Sequence, residues 1–112
     1  MTTQNIYALS DIAAAAQAEV QANVRGIDPI VGVSRNLRDS GFPVDVMTID
    51  CIKTGKRITL LLNDDKPGEV SYQFGFRDQA PAAEFTDLAF EQLTVSQLCL
   101  WITTYFAEKT EA

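Results

Sequence analysis

The chain has 112 residues, a net charge of -6 and a composition 46% hydrophobic and 21% charged, which suits one globular core and excludes a disordered polymer. Such acidity repels phosphate backbones and anionic headgroups, so nucleic acid and membrane surfaces are not expected partners. Histidine is absent, which removes the usual serine and cysteine triads, most zinc sites and the commonest acid-base catalyst near neutral pH.

The opening MTTQNIYALSDIAAAAQ has the alanines of a secretory leader, but its first basic residue is Arg25 and Asp11 falls where the apolar region would lie. No run reaches the length of a membrane span, and the expected location is the cytoplasm. Residues 10–25 read as a helix, with Ser10 as its cap, Gly26 as its left-handed stop and Pro29 just beyond. Ile12, Ala16, Val20 and Val24 recur every four residues and form a stripe able to lie on a sheet. Ala14, Ala18 and Ala22 form a second row, roughly opposite. Alanine is the best helix former and is harmless in water, yet the same spacing lets another backbone approach, so this row is a candidate contact surface.

Residues 31–43, VGVSRNLRDSGFP, suit a short strand, a turn of helix, or both in sequence, and Gly41 and Pro43 mark a break. A three-stranded antiparallel meander follows. VDVMTIDCI (44–52) and RITLLLN (57–63) are joined by KTGK, whose glycine supplies the positive φ of a hairpin loop. Lys53, Lys56 and Arg57 around it read as a solvated tip rather than a phosphate site. Met47, Ile49 and Cys51, then Ile58, Leu60 and Leu62, then Val70, Tyr72, Phe74 and Phe76 build one apolar face. The other face is mixed: Val46, Ile52 and Leu61 stand beside Thr48, Asp50, Thr59 and Gln73, which suggests partial cover.

Between the second and third strands, NDDKPGE places Pro67 and Gly68 at the centre of a type II turn, with its charges facing water. The donor spacing of a calcium loop is missing, so Asp64, Asp65 and Glu69 are not expected to hold a metal. After Arg77 an edge strand is expected around residues 87–93. Thr94 then opens a helix through TVSQ, a capping box. Its stripe of Leu98, Trp101, Ile102, Tyr105 and Phe106 should cover the apolar face as the main lid. Cys51 and Cys99, set among apolar neighbours and without a CxxC, are expected to be buried, reduced and idle.

No glycine-rich phosphate loop is present, and no cofactor is expected. Enzymatic chemistry would require a carboxylate pair assembled by folding. Asp45 and Asp50 are the candidates on the first meander strand, but residues five apart point to opposite faces, so each would need a partner such as Asp87 or Glu91. The structural alternative for Asp50 is a place near a strand edge, solvated or paired with Arg57 across the hairpin.

The order helix, meander, helix in an acidic chain resembles the layout of secretion chaperones, which bind partner segments as dimers; the likeness is one of layout and charge, without a shared motif. The expectation is therefore a single α+β domain over residues 1–112, with an antiparallel sheet on its C-terminal helix and the alanine-rich helix beside it or against a second copy. Its expected role is that of a non-catalytic interaction module, chaperone-like, binding a protein segment as a homodimer through the mixed sheet face or a strand edge. Ala14, Ala18, Ala22, Val46, Ile52, Leu61, Tyr72 and Trp101 are its candidate residues. The alternatives are a small-molecule domain, with a pocket between the Trp101 helix and Tyr72, Phe74 and Phe76, and a carboxylate enzyme.

Overall fold

A computed structural model describes residues 2–107, with side chains from Ile6 onward. The architecture is α+β: helix α1 (Thr2–Asn23), strand β1 (Pro29–Ser34), a short helix α2 (Asn36–Asp39), strands β2 (Val44–Cys51), β3 (Lys56–Asn63), β4 (Glu69–Phe76) and β5 (Thr86–Ala89), a single 3₁₀ turn at Phe90–Gln92, and helix α3 (Val95–Ala107). All five strands form one sheet in chain order, each antiparallel to the next. The meander therefore extends by one strand on either side of the three that the alternation marks.

The two long helices share one face of the sheet. From α1, Ile6, Leu9, Ala13, Ala16 and Val20 meet Met47, Ile49, Cys51, Ile58, Leu60, Leu62 and Val70 of the strands and Leu98, Ile102 and Phe106 of α3 in a single core. The steps of three and four between the α1 residues keep them on one helix face. That pattern begins before Ser10. Nothing between Thr2 and Ser10 breaks a helix, so Ser10 lies inside α1 instead of capping it. The stripe is correspondingly shifted, with Ile12 and Val24 only half-buried at its margins. Gly26 does stop the helix, with φ +84°. Both helices form the lid, in place of α3 alone.

The segment 31–43 contains both elements in sequence, the end of β1 and then α2. In the β3–β4 turn Gly68 has φ +80° and Glu69 donates to the Lys66 carbonyl at 3.3 Å, as a type II turn requires. Its charges do not simply face water: Asp64 accepts Arg38 and Lys66 pairs with Asp87 at 3.0 Å. The expected edge strand at 87–93 is shorter, since chain pairing stops at Ala89 and the 3₁₀ turn follows. At α3 the Thr94 hydroxyl accepts the Gln97 amide at 3.1 Å, which is the cap that TVSQ predicts.

Two charged groups, Lys56 and Asp45, are buried among the core residues. Lys56 is 2% exposed, because β3 starts at it and places it on the helix face; its ammonium donates to the Tyr105 carbonyl at 2.9 Å and stands 4.9 Å from the Tyr105 ring centre. The hairpin tip is thus not a solvated basic cluster. Asp45 is also on the helix face, fully buried at the sheet end under Arg38 and Arg35. Arg38 binds Asp45 and Asp64 together, and the hydrogen bonds it donates to Asp64 and then Asp45 hold its guanidinium well above the usual arginine range. One side chain of α2 thereby ties β2 to the β3–β4 turn.

Candidate functional site

The outer face of the sheet, opposite the helices, carries the residues of the other parity. Ile30, Gly32 and Ser34 of β1 lie beside Val46, Thr48 and Asp50 of β2, and these beside Leu61, Thr59 and Arg57 of β3. Neither α1 nor α3 packs there. Ile30 and Ile52 are 45% and 57% exposed, while Val44, Val46 and Leu61 are half-buried. Val46 and Leu61 are direct cross-strand partners; Ile52 lies just past the end of β2, in the turn.

Among the described residues, cover of this face comes on the β4 side. The Gln73 amide donates to the carbonyls of Ala82 and Glu84 at 3.0 and 2.6 Å, and its oxygen accepts the Ala82 N–H at 3.0 Å. This clamp straps the 77–85 segment across the face. On one side of it lies an open depression of about 730 Å³ between Leu61, Asn63 and Ser71 and the segment at Ala83–Phe85. On the other lies one of about 460 Å³, between Arg57, Thr59 and the segment at Pro81.

The charges on this face are largely satisfied. Arg57 binds Asp50 through two nitrogens, at 2.6 and 2.9 Å, with Arg77 at 3.9 Å, and the Asp50 hydrogen bonds hold Arg57 above its ordinary range. Asp87 accepts the Ser71 hydroxyl and the Lys66 ammonium at 2.5 and 3.0 Å, which hold its carboxyl below the usual range. Asp45 and Asp50 stand on opposite faces, each in its own ion pair. Among the described residues no group of three or more histidine, cysteine, aspartate or glutamate side chains could hold a metal ion.

The candidate residues fall on three separate surfaces. Val46, Leu61 and Ile52 share the outer side. Tyr72 and Trp101 are on the helix face, with ring centres 4.4 Å apart, and Phe74 lies within 5.8 Å of Tyr72 and 5.1 Å of Tyr105. Between α3 and β4, where the small-molecule alternative places a pocket, these rings leave an open hollow of about 290 Å³ lined by Phe74 of β4 and by Leu100, Trp101, Thr104 and Tyr105 of α3. Tyr105 donates its hydroxyl to the Gly75 carbonyl at 2.7 Å, which locks that side. Ala14, Ala18 and Ala22 are all exposed on α1, away from both.

Cys51 is buried, and Cys99 is only half-buried; both are free thiols. The Cys99 sulfur lies 2.9 Å from a Glu19 carboxylate oxygen. Burial, reinforced by Glu19, pushes its thiol up to about 11.

Sequence reasoning missed Ile30, Gly32 and the Gln73 clamp. The alternation in PIVGVS is too short to stand out beside a break signal, and the clamp joins residues distant in sequence. No protein-family model matches the chain, and no curated protein and no solved structure matches it significantly. Among the described residues no helix is long and apolar enough to cross a membrane.

Proposed function

We propose that the protein is a non-catalytic interaction module, chaperone-like in use, that works as a homodimer and holds an extended segment of another protein against its outer sheet face. One observation carries this reading: two groups of apolar side chains, Ile30 with Ile52 and Val44 with Val46 and Leu61, stand at either end of the polar row Gly32, Thr48 and Thr59 on a sheet face that neither long helix covers. Buried on both sides, such residues would belong to a core; here they meet water, which is the mark of a surface that receives something. An extended segment suits the shape, since the depressions on either side of the Gln73 clamp are open and shallow rather than enclosed. The net charge of -6 favours a segment that mixes apolar with basic residues. The two unbridged cysteines suit a reducing compartment, the cytoplasm.

The test uses two synthetic peptides, one alternating leucine and lysine, the other leucine and glutamate. The first should bind and slow amide exchange in β2 and β3, and the double variant Ile52→Asp with Leu61→Asp should weaken it at least tenfold. Binding by neither peptide, or equal binding by the variant, overturns the proposal.

A further inference from the structure

The two edges of the sheet differ. β5 is four residues long and runs directly into a 3₁₀ turn, so it offers little to pair with. β1 has six residues, PIVGVS, without a charge among them; apart from Pro29 at its start it lacks the lysines and inward charges that blunt an edge.

Ladder alternation shows which backbone groups it leaves open. Arg77 donates its N–H to the Gly55 carbonyl, so odd-numbered residues of β3 direct their backbone groups towards β4 and even-numbered ones towards β2. Their partners Met47 and Ile49 then face β3, which leaves Val46, Thr48 and Asp50 to bond Ser34, Gly32 and Ile30. The N–H and C=O groups of Val31 and Val33 consequently point out of the sheet. The Gln17 amide of α1, which donates to the Pro29 carbonyl at 2.7 Å, reaches the same open side.

We propose that this edge pairs antiparallel with β1 of a second copy, about a two-fold axis at Gly32, so that two five-stranded sheets become one continuous sheet. This rests on the homodimer proposed above and assigns its surface. Adjacent antiparallel strands of one sheet are related only by an axis normal to the sheet, which keeps every side chain on its own face. A residue must therefore meet its own copy at the axis. With Gly32 there, Val31 stands opposite the partner's Val33, and both pairs exchange their backbone hydrogen bonds.

Three observations favour a copy of this chain over another occupant. A Cβ built on Gly32 would have only the Thr48 hydroxyl near it, at 3.5 Å, so the glycine leaves the outer face flat where the two strands come closest, at about 4.5 Å between Cα atoms. The strand is bracketed by opposite charges, Asp28 before it and Arg35 after it; antiparallel pairing sets Arg35, whose side chain is 41% exposed beside its contact with Asp45, opposite the partner's Pro29 and one residue from the partner's Asp28. Above β1, the α1 flank that carries Gln17 also carries Tyr7 and Ala14, within about 80° of it around the helix. Tyr7 is 64% exposed, and the axis would bring this flank towards its counterpart, over the Val31 and Val33 pairs, adding the area that one strand lacks.

The decisive experiment is Gly32→Cys in the full chain. At the axis two such cysteines are within disulfide reach, so mild oxidant should convert most of the protein to a covalent dimer, while the native chain with Cys51 and Cys99 should not cross-link. Val33→Pro removes an N–H that points away from β2, and by light scattering over a dilution series it should raise the dimer dissociation constant roughly thirtyfold. If that variant fails to fold by circular dichroism, the cross-link decides. A native monomer at every concentration overturns both this inference and the homodimer. A native dimer that Gly32→Cys does not cross-link, or that a folded Val33→Pro leaves at native affinity, overturns the edge alone, and peptide binding to the outer face is tested separately.

Discussion

At the scale of single residues, the side chains that fall outside the sequence pattern are the polar ones inside the fold. Asp45 is wholly enclosed and relies on Arg38, with Arg35 farther off at 3.4 Å. Removing one partner from a buried pair strands the other's charge, whereas replacing both removes the need for it. Arg38→Met should therefore lower the urea midpoint, and adding Asp45→Leu should recover part of the loss. Arg57→Met should cost less, because Asp50 retains Arg77 nearby and keeps some water contact. Cys99 gives a pH signature. Its folded pKa, about 11, lies above that of a free thiol, so the neutral form is favoured by folding; that contribution is complete below roughly pH 8.5 and is lost as pH rises towards the folded value. At pH 8 its alkylation should be on the order of a hundredfold slower than that of a free thiol. Cys99→Ala should flatten the alkaline fall in thermal midpoint, and rapid labelling of native Cys99 at pH 8 would refute the assignment.

At the scale of elements, ends are set by local chemistry and can be tested locally. Thr94→Ala removes the cap of α3 and should cost about 1 kcal/mol in urea unfolding, with Thr94→Ser nearly silent. Gly68→Ala forces a side chain into the left-handed turn and should cost about 1 kcal/mol; a smaller loss would mean the turn relaxes to another type. These two signals were legible because a cap and a turn need only neighbours in sequence. The start of α1 is not legible in the sequence, because serine is a frequent cap but also tolerable inside a helix, and Ile6 and Leu9 carry the core stripe through Ser10. β1 and β5 were hard to see for a different reason: edge strands bury little, so their alternation is weak.

At the scale of the whole molecule, the outer face and the β1 edge are where another chain would sit. The Ala14, Ala18 and Ala22 row provides a probe of the α1 flank. Ala18 lies about 20° around the helix from Tyr7, so Ala18→Glu should change monomer stability by less than about 0.5 kcal/mol, and its effect on the mass in solution reads whether that flank adds to the β1 edge; a dimer lost altogether in this variant would move the interface to the crest of α1. Calcium, magnesium or manganese should leave the thermal midpoint where it is, since a ligand stabilises only above its dissociation constant. A rise at submillimolar metal that Asp64→Asn with Asp65→Asn abolishes would instead make the β3–β4 turn a cation site.

Sequence alone determined the α+β class, the antiparallel order of the central strands, the type II turn, the cap of α3 and the opposed faces of Asp45 and Asp50, because each follows from a period or a neighbour relation along the chain. It also picked out Val46 and Leu61, whose parity sets them against the core. Tertiary structure decided the rest. Only the packing of two helices on one face placed Lys56 and Asp45 inside, set Tyr72 against Trp101 as filling and left the alanine row in water. The Gln73 clamp and the open backbone groups of Val31 and Val33 depend on which strands become neighbours, and neighbours distant in sequence leave no periodic trace.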